Sequence, residues 1–200
     1  MELLELLELV RNGRLDPQSA CLEIQKQSYE EMGFAKLDHN RSERTGFGEV
    51  IYCAGKSMEH LIRIYRHFAD HDSNVLGTRA SREQYEAVRR ILPDIEYDPV
   101  SGVLLLERTP LKKTGCIAVC TGGTSDIPVA EEAARTAEYF GCQVDRIYDV
   151  GVAGIHRLLS NTDRIRHANC IVAVAGMEGA LPGVGAGLVD KPVLAVPTSV

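Results

Sequence analysis

From residue 116 onward, short runs rich in apolar residues alternate with longer stretches whose apolar residues recur at helical spacing. The runs at 117–119, 144–150, 170–175 and 193–196 read as strands. The stretches at 128–140, from about 156, and at 182–189 read as helices. In the first of these helices Ala130, Ala133, Ala134, Ala137 and Phe140 share a face, and Gly141 is placed to stop it in the left-handed conformation. Strands without polar alternation are buried on both faces, so the pattern predicts a parallel sheet covered by helices on each side. By the same rule, 193–196 reads as a central or near-central strand. Each strand runs into a loop rich in Gly, Ser or Thr, and the C-terminal edge of such a sheet is where ligands bind.

The first half follows a different rhythm. Leu3, Leu6, Leu7 and Val10 fall on one face of a helix over 2–12, ended by Gly13. Asp16-Pro17 caps a second helix that extends to about residue 30, with Ala20 and Ile24 inward and Cys21 as a small buried hydrophobe. Strands are expected at 34–37 and 49–53, joined by a polar loop. A helix opens at Gly55-Lys56-Ser57 with Leu61, Tyr65 and Phe68 on its inner face. Another strand at 74–78 and a helix from the capping box Ser81-x-x-Gln84 to about 92 complete a small mixed unit. Residues 95–97 and 103–106 form a hairpin, and 109–115 reads as a linker. The expected domains are therefore an α+β region over 1–110 (a helical hairpin at 1–31 plus a mixed unit at 34–107) and a parallel α/β domain over 116–200.

Charge and composition narrow the classes. A net charge of −6 without a long basic run disfavours nucleic acid and anionic membranes as partners. No apolar run is long enough to span a bilayer, and the Glu-rich N-terminus is not a signal peptide. Six cysteines without CxxC or Cys/His ligand spacing suggest reduced thiols in a cytoplasmic protein. Two familiar patterns fail on inspection. Gly55-Lys56-Ser57 lacks the upstream glycine of a P-loop, since Val50 stands there. Gly183, Gly185 and Gly187 lie inside a helix with the wrong spacing for a dinucleotide fingerprint, and close helix packing is the expected reason for them.

The stretch with the most chemistry is CIAVCTGGTSD at 116–126. A strand enters the turn Thr121-Gly122-Gly123-Thr124, whose glycines let backbone N–H groups approach a ligand. Ser125 and Asp126 are natural N-cap residues, Pro128 suits a first turn, and a helix start favours phosphate or carboxylate.

The loops GGTSD, the glycine turn after the second strand, and GMEGALPGVGAGL before VLAVPTSV resemble the aminoimidazole-ribonucleotide carboxylases (PurE) of purine synthesis. That family carries Ala-His-Arg in its second loop and a histidine before Leu-Pro-Gly. This chain instead has Val152-Ala153-Gly154-Ile155-His156-Arg157, with His156 displaced, and Ala180 where the second histidine would stand. The whole chain is more similar to the LarB family of nickel-pincer cofactor carboxylase/hydrolases, through Leu37-Asp38-x-x-Arg41-x-x-Arg44-x-Gly46, Glu49-Val50-Ile51, TSDIPVAEEAARTAE and VAGMEGALPGVGAGL. The resemblance implies a PurE-like (flavodoxin- or Rossmann-like) parallel sheet behind a smaller α+β domain.

It also implies a homo-oligomer that carboxylates the pyridinium ring of nicotinic acid adenine dinucleotide and hydrolyses its phosphoanhydride. Carbon dioxide or bicarbonate would be co-substrate and Mg2+ a cofactor, with Glu178 a candidate for either the general base or a metal contact. The alternatives are an aminoimidazole-ribonucleotide carboxylase or mutase, and a non-catalytic nucleotide-binding fragment. On this resemblance Asp126, Ser125 and Glu178 are the catalytic candidates. Thr121, Gly122, Gly123, Thr124, Gly151, Gly154, Gly176, Gly179, Pro197, Thr198 and Ser199 are expected around the substrate. His156 and Arg157 are either phosphate contacts or a surface pair, and Arg41, Arg44 and Lys56 either reach a pyrophosphate or are solvated surface charge.

The family's cysteine lies beyond PTSVG, so the chain is expected to be incomplete at Val200, to lack that thiol and to associate readily. Cys116 and Cys170, which begin strands, are expected to be buried. Cys120 stands nearest the ligand edge, where packing is its expected role.

Overall fold

The computed structural model describes residues 3–26, 29–38, 41, 47–71 and 73–199. The chain divides into two compact units, Met1–Glu49 and Val50–Val200.

In the first unit, α1 (Leu3–Arg11) packs against α2 (Pro17–Lys26) and buries Leu6. Asp16 caps α2 as expected, its Oδ1 accepting from the Ser19 N–H at 2.9 Å. Three details differ from the sequence pattern. Leu7 is exposed, because so short a helix buries a narrower stripe than its apolar content suggests. Cys21 is exposed as well. Finally, α2 ends at Lys26, and β1 (Tyr29–Glu31) pairs antiparallel with β2 (Lys36–Asp38), so strand pairing overrides helix continuation there. Arg41 is exposed, while Arg44 lies outside the described residues.

The second unit holds two four-stranded sheets. One is mixed, in the order β3-β4-β6-β5, from β3 (Val50–Tyr52), β4 (Val75–Thr78), β5 (Glu96–Asp98) and β6 (Val103–Leu106). Only its β3–β4 pair is parallel. Helix α3 (Met58–Asp70) starts on Ser57, whose Oγ accepts from the His60 N–H, and buries Leu61, Ile64, Tyr65 and Phe68. Helix α4 (Arg82–Arg89) carries the full capping box: Gln84 N–H donates to Ser81 Oγ at 3.2 Å and Ser81 N–H to Gln84 Oε1 at 3.0 Å.

The other sheet is wholly parallel, in the order β10-β9-β7-β8, from β7 (Cys116–Thr121), β8 (Gln143–Ile147), β9 (Cys170–Ala175) and β10 (Val193–Pro197). Alternate residues of β7 serve opposite cores. Ala118 and Cys120 join Ile147, Leu158, Ile165, Ile171, Ala173 and Leu181 on one face. That face is covered by α6 (Ile155–Ser160), α7 (Thr162–His167) and α8 (Ala180–Leu188). Val119 joins Val174, Ala130 and Ala134 on the other, under α5 (Ile127–Tyr139). The far side of α5 meets the mixed sheet, where Tyr139 is buried with Leu76 and Val103. Helix α5 is thus held between two sheets, and Gly141, at φ +81°, ends it in the left-handed region.

Three expectations for this region change. Strand β10 lies at an edge rather than in the middle, pairing with β9, and its Leu194 is 57% exposed. Cys116 and Cys170 are half-buried, because the first residue of a strand sits at the rim of the core. A Cβ added at Gly183, Gly185 or Gly187 would meet nothing within 4 Å, so close packing among the described residues does not account for these glycines.

Candidate functional site

The turns that follow β7, β8 and β9 enclose a cavity of about 220 Å3 at the C-terminal edge of the parallel sheet. The β7 turn contributes Gly122, Gly123, Ser125 and Asp126, and the β8 loop contributes Gly151, Val152 and Ala153. From β9 into α8 come Ala175, Gly176, Met177, Glu178, Ala180 and Leu181.

Between β7 and α5 the backbone makes a 3-10 turn, Thr124–Asp126. This turn changes what Asp126 does. It occupies the N-cap position of α5 but makes no side-chain cap bond. Its carboxylate folds back instead, Oδ2 accepting from the Gly123 N–H at 2.9 Å and Oδ1 from the Thr198 hydroxyl at 2.7 Å. Asp126 is only 3% exposed, and its burial is offset by these two donors. The Gly122 N–H is committed too, to the Val174 carbonyl at 2.9 Å. The glycine turn therefore does not turn those two N–H groups toward a ligand.

What the glycines permit is contact between loops. An added Cβ at Gly151 would lie 2.4 Å from the Gly122 carbonyl oxygen, and one at Gly122 would lie 3.2 Å from the Ala175 Cβ. The β7 and β8 loops are pinned beside that contact: Val150 N–H donates to the Thr121 carbonyl at 2.9 Å and Asp149 N–H to Thr121 Oγ1 at 2.8 Å.

Among the residues expected around a substrate, Gly122, Gly123, Ser125, Asp126, Gly151, Gly176 and Glu178 line this cavity. Thr121 is buried beneath it and Thr198 beside it on Asp126. Thr124, Gly154, Gly179, Pro197 and Ser199 are not in the lining. His156 is exposed outside it, and Arg157 pairs with Asp149, whose φ of +57° holds it in the left-handed region. Lys56 is exposed next to α3, and Arg41 belongs to the first unit.

Residues that sequence reasoning passed over are the apolar wall and Met177. Met177 is 91% exposed and has φ +50°, an uncommon conformation for a side chain of this kind. Its place between Gly176 and Gly179 was the available signal.

Cys120 faces the core below the cavity. It is 2% exposed, and burial pushes its thiol up to about 12, so it is inert as a nucleophile. None of the six cysteines lines the cavity. We expect Cys120→Ala to leave ligand affinity unchanged and to cost about 1 kcal/mol in urea unfolding. Loss of affinity without loss of stability would contradict that placement.

The donor set does not form a metal cage. Among the described residues no three His, Cys, Asp or Glu side chains gather into a metal-binding group, and both Asp126 oxygens already accept hydrogen bonds.

Comparison with known proteins gives this geometry its context. Residues 29–108 match the LarB/PurE-like N-terminal domain, and residues 116–200 match AIR carboxylase. An uncharacterized protein of Methanocaldococcus jannaschii, MJ0165, is 38% identical over 98% of this chain and 80% of its own length. The chain belongs to the LarB family. Its PurE-like half is also similar to N5-carboxyaminoimidazole ribonucleotide mutases. That of M. jannaschii is 37% identical over 40% of this chain and 51% of the mutase, and that of Pyrococcus abyssi is 37% identical over 40% and 48%. The chain thus matches about half the length of those mutases. LarB and PurE-like proteins include enzymes, and the cavity sits in the PurE-like half.

Proposed function

We propose that this LarB-family chain forms part of an enzyme that carboxylates the pyridinium ring of nicotinic acid adenine dinucleotide and cleaves its phosphoanhydride. The products would be pyridinium-3,5-biscarboxylic acid mononucleotide and AMP. The observation that carries this reading is the charge of the cavity lining. Two carboxylates, Asp126 and Glu178, face it, and among the described residues no Lys, Arg or His does. The positive charge of a pyridinium ring is favoured in such a lining. The apolar wall of Val152, Ala153, Ala175 and Leu181 suits the face of a flat ring.

The chemistry requires a nucleophile, because an electron-poor pyridinium does not attack carbon dioxide. A thiolate adding to the ring gives an enamine whose free carbon bonds to carbon dioxide. A base then removes the proton from that carbon, the electron pair restores the ring, and the thiolate departs. Glu178, exposed on the β9 loop, is the carboxylate with access to such a proton, and Asp126 faces the ring charge from a fixed position. The thiolate does not come from the cysteines described here, since none lines the cavity.

The test is label transfer from bicarbonate. The full-length protein is expected to place label in a pyridine product and release AMP. Label entering aminoimidazole ribonucleotide instead would replace this reading with a carboxylase one, whereas conversion of N5-carboxyaminoimidazole ribonucleotide without uptake of label would replace it with the mutase activity named for the PurE-like relatives.

A further inference from the structure

We propose that Thr198 is a positioning residue, acting on the substrate through Asp126 rather than touching it. This rests on the functional reading of the cavity given above. Thr198 is not in the cavity lining, whereas Asp126 is. The Thr198 hydroxyl donates to Asp126 Oδ1 at 2.7 Å, and the Gly123 N–H donates to Oδ2 at 2.9 Å. One donor on each oxygen fixes the carboxylate plane.

Thr198 is itself anchored. Its N–H donates to the Ala175 carbonyl at 3.2 Å, one residue beyond the Pro197–Ala175 partners that end the β9–β10 ladder. A continuous line of support therefore runs from the parallel sheet, through the end of β10, to a buried carboxylate on another loop. Threonine suits that task because its branched Cβ restricts χ1 and holds the hydroxyl in one direction. Outer hydrogen bonds that orient the ligands of a metal site are worth about ten- to hundredfold in activity, and the same scale is expected here.

Thr198→Val keeps the shape and deletes the donor, and Thr198→Ser keeps the donor. In the full-length protein supplied with nicotinic acid adenine dinucleotide and bicarbonate, Thr198→Val is expected to lower kcat by about ten- to hundredfold with KM changed less than about threefold. Thr198→Ser should stay within about threefold of the wild type in kcat. Equal losses in the two variants, an unchanged kcat in Thr198→Val, or a rise confined to KM would overturn the proposal.

A wild type without turnover counts against the functional reading instead, and a second readout still judges the pair. In a thermal-unfolding cycle of Asp126→Ala, Thr198→Val and the double variant, the Thr198→Val shift should largely vanish once Asp126 is gone. Additive shifts would show that the two side chains do not act together, and the assignment would fail.

Discussion

Gly151→Ala is expected to be the most damaging single methyl addition at the site. The new Cβ would stand 2.4 Å from the Gly122 carbonyl oxygen and 3.2 Å from its carbonyl carbon. Those are backbone atoms, and the backbone is tied on both sides by the bonds of Val150 and Asp149 to Thr121. Neither loop can retreat without breaking them. Overpacking against so fixed a wall should cost about 2–3 kcal/mol in urea unfolding and at least about tenfold in affinity for the dinucleotide. The contrasting substitution is Gly183→Ala in α8, where nothing lies within 4 Å of the added methyl. It should raise stability by up to about 1 kcal/mol, the ordinary helical preference of alanine over glycine. Equal effects at the two positions would mean that the loop contact at Gly151 is not tight.

Asp126→Asn and Asp126→Ala are expected to separate charge from architecture. In the alanine variant the Gly123 N–H and Thr198 hydroxyl lose their acceptor in a buried place, which should cost about 2–3 kcal/mol. Asparagine can accept from Gly123 with its oxygen while its NH2 group donates to the Thr198 oxygen, so its loss should stay below about 1 kcal/mol. The negative charge beside the ring would nonetheless be gone, and turnover should fall by about a hundredfold or more. Denaturation and labelled-bicarbonate assays on the same preparations decide the matter. Asparagine retaining full turnover would make Asp126 a structural clamp alone.

The parallel half of the fold was legible from sequence because β7, β9 and β10 are apolar along nearly their whole length and its helices are punctuated by Gly and Pro, although the edge strand β8 carries Asp145 and Arg146. Gly141 and the Ser81–Gln84 box act locally, and both stand where the pattern put them. Features that depend on distant partners were not legible. Strand β10 looks central by composition, yet sheet order is a property of pairing, and pairing places it beside β9. Likewise Tyr29–Glu31 continues a helical pattern until Lys36–Asp38 offers it a ladder.

At the site, loop positions rich in Gly, Ser and Thr announced the ligand edge. They did not announce which N–H groups remain for a ligand, because Val174 and the Asp126 carboxylate claim two of them. The helix cap assigned to Asp126 failed for the same reason: the intervening 3-10 turn aims the side chain backwards.

The Asp126–Thr198 bond joins residues 72 positions apart. During synthesis β7, β8 and β9, with the helices between them, leave the ribosome well before residue 198. A nascent chain that has packed this much of the sheet still holds a carboxylate with one oxygen lacking its hydroxyl donor, and such a group resists burial. The Asp126 carboxylate is therefore fully paired only once β10 has docked on β9.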